Sequence, residues 1–290
     1  MVCPICSTGL KPFKEIPEIK DHFLTRDTFQ IMECEKCELL KTVVPDNLDL
    51  AKYYNSDDYV SHGGKNLNPI HLVYRIARIF TLKSKNELLN SFGTEKTVLD
   101  FGCGTGDFLA QMKSSGWKIS GVEPSSKARH TATSKLGSEI KTNITDLTQK
   151  CSVITAWHVL EHTARPVETI EKLTEQLNYK GKLVVAVPNY KSHDSNKYKE
   201  YWAGYDVPRH LWHFSPKTIR HLASKLGLTL EKTIPMKLDA YYVSLLSEKY
   251  LNPNKIGLKT AMRAAIEGYK SNSEASRSEN FSSLIYILTK

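Results

Sequence analysis

At 290 residues the chain has room for one large α/β domain and a small module, with an ample core. Forty Lys and Arg against 31 Asp and Glu leave a net +9, which favours anionic partners such as phosphorylated metabolites or nucleic acid, although the cations are scattered and form no long run. No apolar stretch approaches the roughly 18 residues of a membrane span, and Met1-Val2-Cys3-Pro4 does not begin a signal peptide, so the expectation is a cytoplasmic protein with no membrane partner.

Cys3-Pro4-Ile5-Cys6 and Cys34-Glu35-Lys36-Cys37 form two C-x-x-C pairs. Thiolates at that spacing supply two corners each of a tetrahedral Zn²⁺ site, and residues 1–45 are read as a zinc ribbon. Disulfides are the competing reading, disfavoured among cytoplasmic thiols. Four sulfur ligands close the coordination sphere, so the zinc would be structural. Residues 46–92 form a connector. Its tyrosine-rich part, Tyr53 to Gly64, suits either a lid over a pocket or linker packing. Its second part, 69–92, carries Leu72, Ile76, Ile79 and Phe80 against Arg75, Arg78, Lys83 and Lys85, an amphipathic helix whose apolar side should lie on the following sheet.

The stretch Thr97-Val98-Leu99-Asp100-Phe101-Gly102-Cys103-Gly104-Thr105-Gly106-Asp107 reads as a strand, a tight glycine loop and a helix start. A dinucleotide fingerprint would need glycine where Asp107 stands, so a pyrophosphate site is disfavoured. Asp100 and Asp107 suit the ammonium of an amino-acid moiety instead. Lys118 to Glu123 is a second strand ending in a carboxylate, the place where α/β nucleoside sites grip ribose hydroxyls. V-L-D-F-G-C-G-T-G followed by G-V-E-P resembles the cofactor half of the class I S-adenosylmethionine (SAM) dependent methyltransferases. The resemblance implies a Rossmann-like seven-stranded sheet with helices on both faces over 93–290. It also implies a SAM site at Asp100, Gly102, Cys103, Gly104, Gly106, Asp107 and Glu123.

Beyond the loop the chain alternates helix 107–115, strand 117–122, helix 125–136, a short strand at 139–143 and strand 151–157, as a parallel sheet requires. Asn143 ends the short strand, where the resembled family usually places an Asp on the adenine amino group; the Asn side-chain oxygen can accept the same bond. Strand 151–157 runs into Trp157-His158-Val159-Leu160-Glu161-His162, then a helix at 167–177, a turn at 178–181 and strand 182–187. H-V-L-E-H and K-G-K-L-V-V-A-V-P-N-Y resemble the branch that holds ubiquinone-type O-methyltransferases and zinc-containing sugar methyltransferases. By that resemblance Trp157 and His158 wall the cofactor, and Glu161 and His162 lie near the acceptor. In the quinone branch a divalent ion near the Glu161 position has some role, which leaves Mg²⁺ at Glu161 and His162 as a minor alternative.

The segment from Tyr201 to Pro216 packs five aromatics and two histidines into a stretch with no regular period, and is read as a pocket in which Arg209, His210 and His213 could converge. A hydrophobic plug is the competing reading. Helix 216–226, strand 228–234, inserted helices over 236–277 and a last strand 283–288, antiparallel to 228–234, complete the domain. The insertion suits either a cover over the substrate or a dimer contact.

A sulfonium methyl is already activated, so the enzyme must mainly align a nucleophile and exclude water. A base helps a hydroxyl or acidic carbon, and His162, His210 and His213, with Glu161 beside them, are the candidates in that order. The expected activity is methyl transfer to oxygen or carbon of a small-molecule acceptor, a sugar nucleotide or quinone-like metabolite. An RNA methyltransferase is the first alternative and a non-catalytic SAM-binding adaptor the second. The sequence leaves the oligomeric state open.

Overall fold

The structure, a computed structural model, describes residues 1–54, 69–147, 149–253 and 257–290, and the helical backbone alone for 69–78. The expected lid or linker from 55 to 64 lies outside the described residues, as do the side chains of Leu72, Arg75, Ile76 and Arg78.

Four short strands come first: β1 (Lys11–Pro12), β2 (Glu18–Lys20), β3 (Thr28–Glu33) and β4 (Leu40–Thr42). Helix α1 (Pro69–Asn90) leads to β5 (Thr97–Phe101), α2 (Asp107–Ser114), β6 (Lys118–Val122), α3 (Ser126–Leu136), β7 (Cys151–Trp157), α4 (Pro166–Glu175) and β8 (Leu177–Pro188). After α5 (His193–Tyr198) come β9 (Trp212–His213), α6 (Pro216–Lys225), β10 (Thr229–Pro235), α7 (Asp239–Leu251), α8 (Leu258–Ser278) and β11 (Ser283–Thr289).

The large sheet has the order β10-β11-β8-β7-β5-β6. Strands β6, β5, β7 and β8 run parallel, while β11 is antiparallel to both β8 and β10, the pairing expected for the last strand. Side chains alternate between its faces, as a period of two demands. Leu99, Ile154, Leu183 and Val185 pack with Ile170 and Leu173 of α4 and Ile219 and Leu222 of α6. Their neighbours Val98, Val153, Val184 and Ala186 pack with Leu109 and Met112 of α2 and Leu136 of α3. Both faces are therefore covered by helices, and within β7 every residue but the last, Trp157, is buried.

Two expectations about this sheet need correction. It has six strands among the described residues, because 139–143 contributes a single parallel bridge from Lys141 to Val122. Gly137 ends α3 in the left-handed region at φ 62°, and a 3₁₀ turn begins at Ile144 under the Asn143 N–H to Asp146 Oδ2 bond of 3.0 Å. Too little extended chain remains between them for a strand. The expected turn at 178–181 is instead part of β8, whose pairing with β7 shifts register between Cys151 and Val153, with Lys180 at φ 58°.

Helix α1 also departs from its expected seam. Ile79 and Phe80 are exposed, and the contact with the domain is made by Leu82, Leu88 and Leu89.

The N-terminal strands do not close on themselves. Their sheet has the order β1-β3-β4-β9, with β2 paired to β3, so its far edge is completed by residues from deep in the C-terminal part. Leu40 pairs with His213 and Lys41 with Trp212. Trp202, Tyr205 and Val207 join Phe13, Ile19, Phe29 and Ile31 in one buried cluster. Trp212 and Phe214 pack with Cys3, Ile5, Cys34 and Leu39 in another. The aromatic segment 201–216 is thus largely a plug between the two parts of the chain rather than the lining of an open pocket.

A buried ion network fastens the same seam. Arg209, expected to reach a substrate, places Nη2 2.8 Å from Asp21 Oδ1 and 2.7 Å from Asp206 Oδ1, and donates Nη1–H to the Tyr53 carbonyl at 3.0 Å. Burial by itself would raise the Asp21 carboxyl, but Arg209 and the N–H groups of Thr25 and Leu24 hold it below the usual carboxylate range. Arg209→Ala should destabilise the protein by about 3–5 kcal/mol in urea denaturation, because a buried carboxylate loses its partner. Since the folded-state pKa of Asp21 is depressed, that contribution is present at neutral pH and is lost as pH falls below the ordinary carboxylate range. An unchanged denaturation midpoint at pH 7 would contradict this.

Candidate active site

The three loop glycines all have positive φ, 74°, 54° and 78° at Gly102, Gly104 and Gly106, but each meets different surroundings. A Cβ on Gly102 would lie 2.6 Å from Val159 Cγ2, so glycine there lets the loop nest against the end of β7. A Cβ on Gly106 would press on Ala132 and Leu136 of α3 at 3.1 Å. At Gly104 nothing lies within 4 Å, so this is the open side of the loop.

The acids around the loop divide in the same way. Glu123 accepts the Gly104 N–H at 2.9 Å on one oxygen and the Ser125 N–H at 2.8 Å on the other, and each oxygen keeps a lone pair for a hydroxyl. Asp100 is buried and accepts from Thr155 Oγ1 at 2.6 Å; burial raises its carboxyl to about 7. Asp107 turns toward α3, where Lys135 Nζ lies 2.6 Å away, and takes the Thr105 hydroxyl at 2.8 Å. Cys103 is buried, and its thiol is raised to about 12, chiefly by that burial. Asn143 is exposed at the start of its 3₁₀ turn, two residues beyond the bridge to β6.

At the end of β7, Trp157 meets Phe108 edge-on at 5.6 Å between centroids and carries the Lys85 ammonium 4.2 Å from its ring centre. His158 sits at φ 54°, with Nδ1 3.3 Å from Glu161 Oε1 and Nε2 3.2 Å from Asp239 Oδ2. Burial opposes its protonation, but Asp239 and then Glu161 outweigh that and raise its pKa to about 9. At neutral pH it is an imidazolium between two carboxylates. Glu161 is 1 % exposed, and beyond its ion pair to His158 neither oxygen has a hydrogen-bond partner among the described residues. Burial would raise the carboxyl; His158 foremost holds it below the usual range.

His162 and His210 are oriented alike. His162 Nδ1 lies 2.9 Å from the Arg209 carbonyl oxygen and His210 Nδ1 2.9 Å from that of Gly204. A carbonyl can only accept, so both rings carry Nδ1–H, and in a neutral ring Nε2 is then the nitrogen with the lone pair. Their centroids are 4.6 Å apart, and ligand atoms of Glu161, His162 and His210 lie within 4.8 Å of one another. Two imidazole lone pairs and a carboxylate at that separation can take a proton or hold a cation. Burial, with His162 nearby, lowers the His210 pKa to about 4. His213 stands apart from this convergence. Its Nε2 is 2.9 Å from Thr42 Oγ1, whose hydroxyl donates to the His210 carbonyl at 2.8 Å, so the ring donates to Thr42; burial lowers its pKa to about 3.

Sequence reading missed Asp239 and Thr42. Asp239 opens a helix far from His158 in the chain, and nothing in its local pattern separates it from an ordinary first-turn acid. Thr42 lies in β4, and its contact with His213 arises only because the distant β9 adds to the edge of β4 opposite β3.

A search of curated proteins finds no match. Among solved structures, the chain is similar to magnesium protoporphyrin IX methyltransferase (ChlM) from Synechocystis PCC 6803 with bound SAH, at 16 % identity over 82 % of this chain and 96 % of that one, with a TM-score of 0.54. The same enzyme with bound SAM gives 15 %, 85 %, 100 % and 0.51. The cyclopropane synthase MmaA2 from Mycobacterium tuberculosis gives 14 %, 82 %, 95 % and 0.51. At such identities the likeness is one of fold. The family model described as "Methyltransferase domain" matches residues 73–233, more than half of the sequence, and with the glycine loop inside that span the chain belongs to the methyltransferase-domain family as a SAM-dependent methyltransferase.

Proposed function

We propose that the protein transfers the methyl group of SAM to an oxygen or carbon of a small-molecule acceptor, with His162 as general base. The observation that carries this reading is the convergence of the His162 and His210 rings with the Glu161 carboxylate, ligand atoms of all three lying within 4.8 Å of one another, directly after the strand end that packs on Gly102. The residues fit the cofactor: Gly104 leaves room, Glu123 has acceptors for ribose hydroxyls, and Asp100 is a buried carboxyl suited to an ammonium. Trp157 and His158 would wall the site and Asn143 would meet the adenine. Asp107, neutralised by Lys135, would have the smallest share. Bound there, SAM supplies the activated methyl; the chain's own residues orient the acceptor and take its proton.

The four cysteines fit a structural zinc. Cys3 Sγ and Cys37 Sγ are 3.6 Å apart, and the four sulfurs lie within 4.8 Å of one another. A tetrahedron with Zn–S of about 2.3 Å has edges of about 3.8 Å. Residues 1–45 would be the metal-binding part, 46–92 the connector and 93–290 the catalytic domain.

Gly104→Val tests the cofactor assignment. The branched side chain would fill the open side of the loop, and titration calorimetry should find SAM binding lost in a variant that still unfolds cooperatively. Wild-type affinity in that variant would overturn the assignment.

A further inference from the structure

Helix α8 is built inside out. The face it buries carries Thr260, Ala264, Glu267, Gly268, Ser271 and Ala275, small or polar residues. Its large apolar residues point outward: Leu258 is 79 % exposed, Met262 57 %, Ile266 51 % and Tyr269 67 %. At about 100° per residue these four fall on one stripe opposite the core. A surface helix of a protein that meets only water shows the reverse polarity. Tyr241 of α7 lies against the backbone of Gly268, where a Cβ would come within 2.6 Å of its ring, and with the exposed Tyr242 it widens the patch.

The rim of the stripe says what covers it. Lys259, Arg263, Lys270 and Arg277 are spaced so that all four lie along one edge of the apolar residues, while Glu274 stands further round toward the buried face. Lys270 lies 2.8 Å from Glu267 and is still more than half exposed. Apolar and tyrosine side chains flanked by cations match a lipid headgroup boundary that is negatively charged. A two-fold contact of the stripe with itself in a second copy would gather the same cations of both copies around one interface. The chain's net charge of +9 acts in the same direction.

We propose that the outward face of α8, with the tyrosines of α7, docks on an anionic lipid surface. No helix among the described residues is long and apolar enough to cross a membrane, so the contact is peripheral. Helix α7 also supplies Asp239 to His158, so the docking face and the candidate site share one two-helix unit. The proposal stands on the helix alone and does not depend on the assignment of the base.

Flotation of the full-length protein with vesicles tests it. Binding is expected to vesicles of phosphatidylcholine with phosphatidylglycerol, and not to phosphatidylcholine alone. Met262→Glu with Ile266→Glu should abolish flotation. Lys259→Ala with Arg263→Ala should lower partition roughly 25-fold, since each cation near such a surface contributes about fivefold. SAM affinity should be unchanged in both variants, which separates this result from any failure of the cofactor reading and shows that they remain folded. Absence of wild-type flotation with the phosphatidylglycerol-containing vesicles overturns the proposal, as does unaltered flotation of the double-Glu variant. A dimer in light scattering that Met262→Glu dissociates, without vesicle binding, would assign the face to a second copy instead.

Discussion

His162→Ala is expected to lower methyl-transfer turnover roughly 10²- to 10⁴-fold, the usual contribution of a positioned general base, while SAM affinity stays within a few fold. The choice of His162 rests on the protonation states of its neighbours. His213 uses Nε2 on Thr42 and is pushed down to about 3; His210 is pushed down to about 4. A base with so low a pKa has little driving force to take a proton at neutral pH. His162 is less buried than either and has its Nδ1–H fixed on the Arg209 carbonyl, so Nε2 is the only atom that can accept. The acceptor's proton would move to that nitrogen as the new bond to the methyl forms. The adjacent Glu161 carboxylate, already drawn on by His158, would offset the imidazolium that results. Glu161→Gln should therefore also reduce turnover. His210→Ala should cost less than His162→Ala, since its ring mainly walls the group. Single-turnover kinetics with a responsive acceptor checks the order. Undiminished turnover in His162→Ala would move the base elsewhere.

The parts of this arrangement that were legible in sequence are those set by short-range chemistry. A strand, three alternate glycines and a second strand ending in Glu123 follow from local pattern, and so does the alternation that makes the parallel sheet. The C-x-x-C pairs are equally local, and their sulfurs do come together. What could not be read depends on contacts between distant segments. Arg209 looked like a substrate ligand because its partner Asp21 sits in the N-terminal part. His213 looked equal to His210 until β9 was paired with β4. The stripe on α8 was visible as apolar positions around Met262 and Ile266, but its outward direction depends on the small residues it buries. Asp107 shows the same limit in reverse: as an acid at a helix start it suits an ammonium, and the nearby Lys135 of α3 takes that role first.

If the proposed zinc is bound, atomic absorption should find one ion per chain in the purified protein and none in Cys34→Ser, whose N-terminal strands should unfold. Cys3, Cys34 and Cys37 are fully buried and Cys6 is partly buried, and the strands around them are two to six residues long. Strands this short bury too little on their own, so the proposed zinc would supply most of their folding free energy, on a scale of about 10 kcal/mol. The loss should not stop at residue 45. Thr42 donates to the His210 carbonyl and accepts from His213, and β4 is the sheet partner of β9. Once β4 is free, His210 loses the neighbour that fixes its backbone, and Arg209 loses Asp21. Turnover should therefore fall in Cys34→Ser even though no cysteine of the cluster reaches the site, while SAM affinity, set by the loop between β5 and α2, should fall much less. Limited proteolysis within residues 1–54 and a lowered kcat with near-normal SAM binding would together establish that coupling. A Cys34→Ser protein that is metal-free yet resistant to protease would refute the structural zinc.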